Sequence, residues 1–155
     1  MEPTPWLDEE ETRIWRGFVQ AMGRINSQLT ESLKADAGLT LEDYEVLVHL
    51  SEAPDQRLRM TELSTMLAHS RSRATQRVDR LVKRDLIQRE KCPEDRRGTF
   101  ACLTNDGMQL LSKIAPEHLR QVRARLIDLI EPHERATMAE VLQRVAENAR
   151  QADSA

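Results

Sequence analysis

Between positions 71 and 84 the chain sets Arg71, Arg73, Arg77, Arg80 and Arg84 among Ser72, Thr75 and Gln76. Guanidinium groups pair with phosphates, while short hydroxyl and amide side chains exchange hydrogen bonds with base edges. Ala74, Val78, Leu81 and Val82 recur at helical spacing through the same stretch. The pattern predicts a helix with one core-facing stripe and a cationic, hydrogen-bonding remainder. An arginine-rich helix alone reads equally well as a solvated face. A second cationic feature, Asp95-Arg96-Arg97, follows within a short hairpin and turns the balance toward double-stranded DNA. Catalysis has no comparable set. There is no Gly-x-Ser-x-Gly, no glycine-rich phosphate loop and no His-Glu-x-x-His. His49, His69, His118 and His133 lack metal-ligand spacing, and no Cys-x-x-Cys occurs. No enzyme activity, metal or cofactor is expected.

Helices and strands must position these groups. Ser70 is the expected N-cap of the arginine-rich helix, which places Arg71, Ser72 and Arg73 in its first turn. That end of such a helix is the part that enters a major groove. Ser72, Thr75 and Gln76 are then candidates for base contacts, and Arg73 and Arg77 for base or phosphate. Arg80 and Arg84 lie further along, where phosphates are the natural partners. Residues 61–68 form a short amphipathic helix before it, capped by Thr61, with Leu63, Met66 and Leu67 facing inward. Residues 86–91 and 99–103 are strand candidates on either side of Cys92-Pro93-Glu94-Asp95-Arg96-Arg97-Gly98, and residues 57–60 form a third short strand able to pair with them. Helix, turn, basic helix and hairpin together describe a winged helix-turn-helix.

This region resembles the MarR family of bacterial transcription regulators. The resemblance rests on Ser70-Arg71-Ser72 opening the helix, Val78-Asp79-Arg80-Leu81 closing it, Pro93-Glu94-Asp95-Arg96-Arg97-Gly98, and Leu103-Thr104-Asn105-Asp106-Gly107. It extends more loosely over the flanking helices. It implies a homodimer with winged DNA-binding lobes, often controlled by a small-molecule effector. It also implies that one of Arg96 and Arg97 enters the minor groove, while Asp95 holds the tip through an ion pair. One position departs from the pattern: where the family commonly has Gly after the recognition helix, this chain has Asp85. The oxidation-sensing branch uses a cysteine in the first helix, and here none precedes Cys92.

The chain has 155 residues, enough for one domain with a real core, and its 3 % aromatic content and few glycines favour helices. Its formal net charge of -3 argues against indiscriminate nucleic-acid binding. The distribution is uneven: residues 71–97 hold ten Lys/Arg against five Asp/Glu, a local +5 that leaves -8 for the remainder. A basic lobe on an acidic body favours oriented docking on DNA. The first residues lack a basic start and an apolar run, and no apolar stretch is long enough to span a membrane, so a cytoplasmic protein is expected. Folding the hairpin about residues 95–96 places Thr99, not Cys102, opposite Cys92, so the two cysteines are expected as reduced thiols.

Outside the centre, a long helix is expected from about Asp8, with Ile14, Phe18, Met22, Ile25, Leu29 and Leu33 in one apolar stripe. Gly38 should stop it. Thr40 should cap the next helix, with Asp43 in the reciprocal position and Tyr44, Leu47, Val48 and Leu50 inward. Thr104 should cap a second long helix whose stripe runs from Leu110 to Ile130, bent at Pro116, and Pro132 should separate a last helix carrying Met138, Val141, Leu142 and Val145. The expected fold is mainly α with a small β-wing, one domain over 1–155. Residues 40–104 form the winged helix-turn-helix lobe, and 8–35 and 105–150 the dimerisation helices. An effector pocket would lie between these parts, where Trp15, His49, Met108 and His118 are polar or polarizable. The competing reading is a winged-helix module that binds protein rather than DNA, which would need an apolar or acidic exposed helix face.

Overall fold

A computed structural model describes residues 5–67, 70–93, 95 and 98–152; the side chains of Arg71 and Ala152 are outside that description. Helix α1 spans Glu9–Ala37. Asp8 and Glu11 cap it reciprocally: the Glu11 N–H donates to Asp8 Oδ1 at 2.8 Å and the Asp8 N–H to Glu11 Oε2 at 2.9 Å. Gly38 ends it in the left-handed conformation, φ 64°. Helix α2 (Leu41–Glu52) opens with the expected box, since the Asp43 N–H donates to Thr40 Oγ1 and the Thr40 N–H to Asp43 Oδ2. Asp43, Tyr44, Val46, Leu47 and Leu50 are buried, whereas Val48 is only half-buried. Val46 takes the place expected of Val48, because α2 is enclosed on more than one side.

Strand β1 (Arg57–Arg59) leads directly into α3 (Met60–Met66), followed by α4 (Arg71–Val82). Helix α3 starts one residue before the expected Thr61 cap, because the Arg59 N–H donates to Glu62 Oε2 at 3.0 Å. Met66, expected inward, is half-exposed, and Ser64 is buried instead with its hydroxyl on the Thr61 carbonyl. Strands β2 (Ile87–Lys91) and β3 (Thr99–Leu103) make the hairpin, and the antiparallel order is β1-β3-β2. Lys91 faces Thr99 and Gln88 faces Cys102. The Cys92 N–H donates to the Gly98 carbonyl, so Cys92 stands one residue from the expected register, and both thiols are free.

The chain turns from α4 into β2 at Asp85, φ 58°. Thr104 then caps α5 (Asn105–Arg125), accepting from the Gly107 N–H at 3.0 Å while its hydroxyl donates to the Asp85 carbonyl at 2.7 Å. This brings Gly107 against the Leu86 carbonyl, so closely that a Cβ there would overlap it. Helix α5 passes through Pro116 and stops at Arg125; a 3-10 turn at Ile127–Leu129 follows. Leu126, Leu129 and Ile130 therefore lie beyond the helix whose stripe they were expected to extend. Helix α6 (Arg135–Ala152) is the last element.

The core gathers Leu33, Leu39, Val46, Leu47, Leu50, Leu63, Val78, Leu81, Ile87, Ala101, Leu111 and Ile114. It joins the C-terminal end of α1 to the lobe and to α5. The N-terminal part of α1 and the described side chains of α6 stay outside it. Ile14, Trp15, Phe18, Val19 and Met22, with Met138, Val141 and Val145, are exposed apolar side chains.

Candidate nucleic-acid interface

Helix α4 is oriented by its two faces. Ala74, Val78 and Leu81 are buried in the core, so the opposite side must face outward. There Ser72, Arg73, Thr75 and Gln76 are all exposed, and Ser70 caps the end by accepting the Arg73 N–H at 3.4 Å. The helix positive end, two hydroxyls, an amide and a cation thus share one surface. Such a surface can engage phosphates and hydrogen-bond to base edges.

Arg77, Arg80 and Arg84 do not join it. Steps of three and four residues place them on one stripe beside the buried one, and that stripe lies over the junction of α1 and α2. Arg77, its side chain 14 % exposed, reaches Glu42 at 3.3 Å and Asp43 at 3.7 Å. Arg80 reaches Asp43 at 2.9 Å and keeps about half of its side chain exposed. Arg84 donates to the Ala37 and Gly38 carbonyls at 2.7 and 3.0 Å, meeting the negative end of α1. Burial works to raise the Glu42 pKa, but Arg77 and the Thr40 hydroxyl outweigh it and the pKa is lowered. The sequence offers these three arginines to DNA; in the fold their guanidinium groups also have partners within the protein. Glu42 and Asp43 are the residues that sequence reasoning missed. Two acids at the start of α2 were legible only as capping and dipole groups.

The wing is tied down from two sides. Arg59 of β1 pairs with Asp95 at 3.5 Å, lies over the Phe100 ring, and donates to Cys92 Sγ at 3.3 Å. Arg89 of β2 pairs with Asp79 at 3.0 Å and donates to the Thr75 carbonyl at 3.4 Å, joining the wing to α4. Neither arginine is a candidate from sequence, since the partner of each lies on another element. Arg96 and Arg97 lie outside the described residues. Cys102 is a poor thiolate, because burial and the neighbouring Glu90 push its pKa up to about 11.

The four residues expected around an effector lie on α1, α2 and α5. Trp15 is exposed on α1, His49 half-buried on α2, and Met108 packs against the core. His118 stacks on Tyr44, ring centroids 4.2 Å apart, and burial lowers its pKa. A groove of about 660 Å³ lies elsewhere, under the wing, lined by residues such as Leu58, Met66 and Phe100. Among the described residues no cluster of His, Cys, Asp and Glu could hold a metal ion, and no helix is long and apolar enough to cross a membrane.

The fold recurs in known proteins. The model of the MarR family matches residues 37–98. The chain superposes with a TM-score of 0.91 and 38 % identity on Sco3205, a MarR family transcriptional regulator from Streptomyces coelicolor solved in complex with DNA, covering 96 % of this chain and 92 % of that one. The chain belongs to the MarR family. It is also 30 % identical over 145 residues to the HTH-type transcriptional regulator MhqR of Bacillus subtilis, spanning 94 % of this chain and 97 % of that protein. The transcriptional repressor MprA of Escherichia coli is 28 % identical over 107 residues, 69 % of this chain and 60 % of that protein. MarR proteins are transcription regulators, and the mostly helical fold with a three-stranded sheet is theirs.

Proposed function

We propose that the protein is a cytoplasmic, homodimeric transcription repressor that binds an inverted-repeat operator in double-stranded DNA and is released by a small-molecule effector. The observation that carries the DNA reading is the exposed N-terminal face of α4, where Ser72, Arg73, Thr75 and Gln76 stand together opposite the buried stripe. Arg71 and the wing arginines Arg96 and Arg97 supply further cations from the same lobe. Sco3205, similar over almost the whole chain, was solved on DNA. Repression is the role named for MprA. The exposed apolar side chains of α1 and α6 supply the dimer contact. The effector reading rests on His118 Nδ1 and Gln121 Oε1, half-buried residues of α5 whose atoms are buried without a hydrogen-bond partner. The exposed face of α4 is cationic, which disfavours the protein-binding alternative.

The test is binding of labelled duplexes selected from a random pool, measured against scrambled duplexes across a salt series. Sequence-selective binding that weakens steeply with salt is expected. Binding that ignores sequence, or no binding at all, would overturn the proposal. Light scattering of the same protein should give twice the chain mass.

A further inference from the structure

The α1–α2 junction meets the recognition helix through three separate charged or carbonyl contacts. Arg77 and Arg80 converge on Asp43, and Arg84 closes on the last carbonyls of α1. Asp43 is 6 % exposed and is anchored in turn by the Thr40 N–H. Arg77 and Arg80 hold the last turns of α4, and Arg84 holds the turn that follows its end at Val82, so the contacts resist both rotation about the helix axis and tilting of its end. Helix α1 carries the exposed apolar side chains at its other end. The same corner therefore touches the reading helix on one side and continues into the surface proposed for dimerisation on the other.

We infer that Asp43 and Arg84 are positioning residues that fix the angle of each recognition helix relative to α1, and so set the spacing between half-sites that the dimer accepts. The inference rests on the dimeric DNA-binding reading. Two recognition helices reach successive major grooves only at one separation, so a small tilt at the corner displaces each reading end. A buried carboxylate facing two guanidinium groups holds one geometry, whereas a neutral amide there takes the ion pair from Arg80 and leaves Arg77 to Glu42 alone. Arg80 then serves position first, its partner being Asp43 rather than a phosphate.

The experiment uses the full chain and variants Asp43→Asn, Arg84→Met and Arg80→Gln. An operator is first selected with the parent from random duplexes, then rebuilt with its central spacer lengthened or shortened by one base pair. The parent should discriminate against altered spacers by roughly tenfold or more, comparable with one mismatched base pair. Asp43→Asn and Arg84→Met should bind the altered spacers within about threefold of the original while half-site preference is retained. Arg80→Gln should relax spacing without lowering the salt slope. A parent that binds no duplex sinks the underlying reading. A parent that binds, with variants that keep its spacing preference or weaken equally on all spacers, sinks this inference alone. A lowered salt slope in Arg80→Gln returns Arg80 to the phosphates. Asn at position 43 can still accept the Thr40 N–H; should it nevertheless unfold the chain, Arg84→Met, remote from that cap, decides the matter by the same readout.

Discussion

The central lobe and the outer helices spend their apolar residues in opposite ways. In the lobe, Val46, Leu47, Leu50, Leu63 and Val78 are completely buried, and the buried Asp43 and Ser64 among them are hydrogen-bonded. In the outer helices, Ile14 is 67 % exposed, and among the described side chains of α6 none is buried. Both regions show regular apolar periodicity in sequence, yet the N-terminal part of α1 and the described side chains of α6 have no surface of their own chain to pack against. Periodicity specifies that a face must be covered. It does not specify by what.

Two glycines show the difference most sharply. The Cα of Gly107 lies against the Leu86 carbonyl, and that close approach joins α5 to the lobe. In Gly107→Ala the added methyl group meets backbone, which cannot rotate away. Overpacking of this kind should cost about 3 kcal/mol and lower the melting temperature of the whole chain. An equal substitution at Gly17, where a Cβ meets nothing within 4 Å, should change little or stabilise α1 slightly. Thermal melts of the two variants measure the contrast; equal melting temperatures would refute it.

The outer helices can also be perturbed alone. Phe18→Glu places a charge in the exposed stripe of α1 and should halve the mass in light scattering at micromolar concentration. The lobe is complete within one chain, so its amide exchange protection should survive in the separated subunit. Disappearance of that protection would show that the lobe needs the partner.

Within the lobe, reading and anchoring can be separated. Gln76→Ala removes an amide from the exposed face of α4 and should cost roughly 1–3 kcal/mol on the selected operator and little on scrambled DNA. Replacing Arg96 or Arg97 by Ala should instead weaken both duplexes and lower the salt slope by about one unit for each phosphate left without its cation. Equal behaviour of the two classes would remove the distinction between reading helix and anchoring wing.

What the sequence made legible follows from the range of the interactions. Caps at Thr40, Ser70 and Thr104 involve partners three residues away, and each forms as the local pattern requires. The strands are also local, but the whole hairpin pairs one residue away from the expected register: Lys91, not Cys92, faces Thr99, and Cys92 donates to the Gly98 carbonyl. The arginines were harder to read. Arg77, Arg80 and Arg84 carry the composition of a DNA-facing surface, but their partners at positions 37–43 lie about forty residues earlier. Arg59 and Arg89 were invisible for the same reason. A charged side chain announces that it needs a partner, and only the fold decides whether the protein supplies it.

The smallest effect sharpens the boundary between helix propensity and tertiary demand. Asp85 holds φ 58° between α4 and β2, a conformation that glycine adopts without strain and other residues at a cost. Its charge also sits near the carbonyl end of α4, where a negative group is unfavourable. The backbone of Asp85 makes the bonds that hold the turn: its carbonyl accepts from Thr104 Oγ1, and its N–H donates to the Val82 carbonyl at 3.0 Å. Asp85→Gly leaves both in place. Glycine gains freedom in the unfolded chain, which reduces the benefit, so the net stabilisation should be roughly 0.5–1 kcal/mol. A modest rise in melting temperature with unchanged DNA affinity is the expected result. An unchanged or lowered temperature would mean that the carboxylate gains more from the cations around it than the backbone loses by standing in the left-handed region.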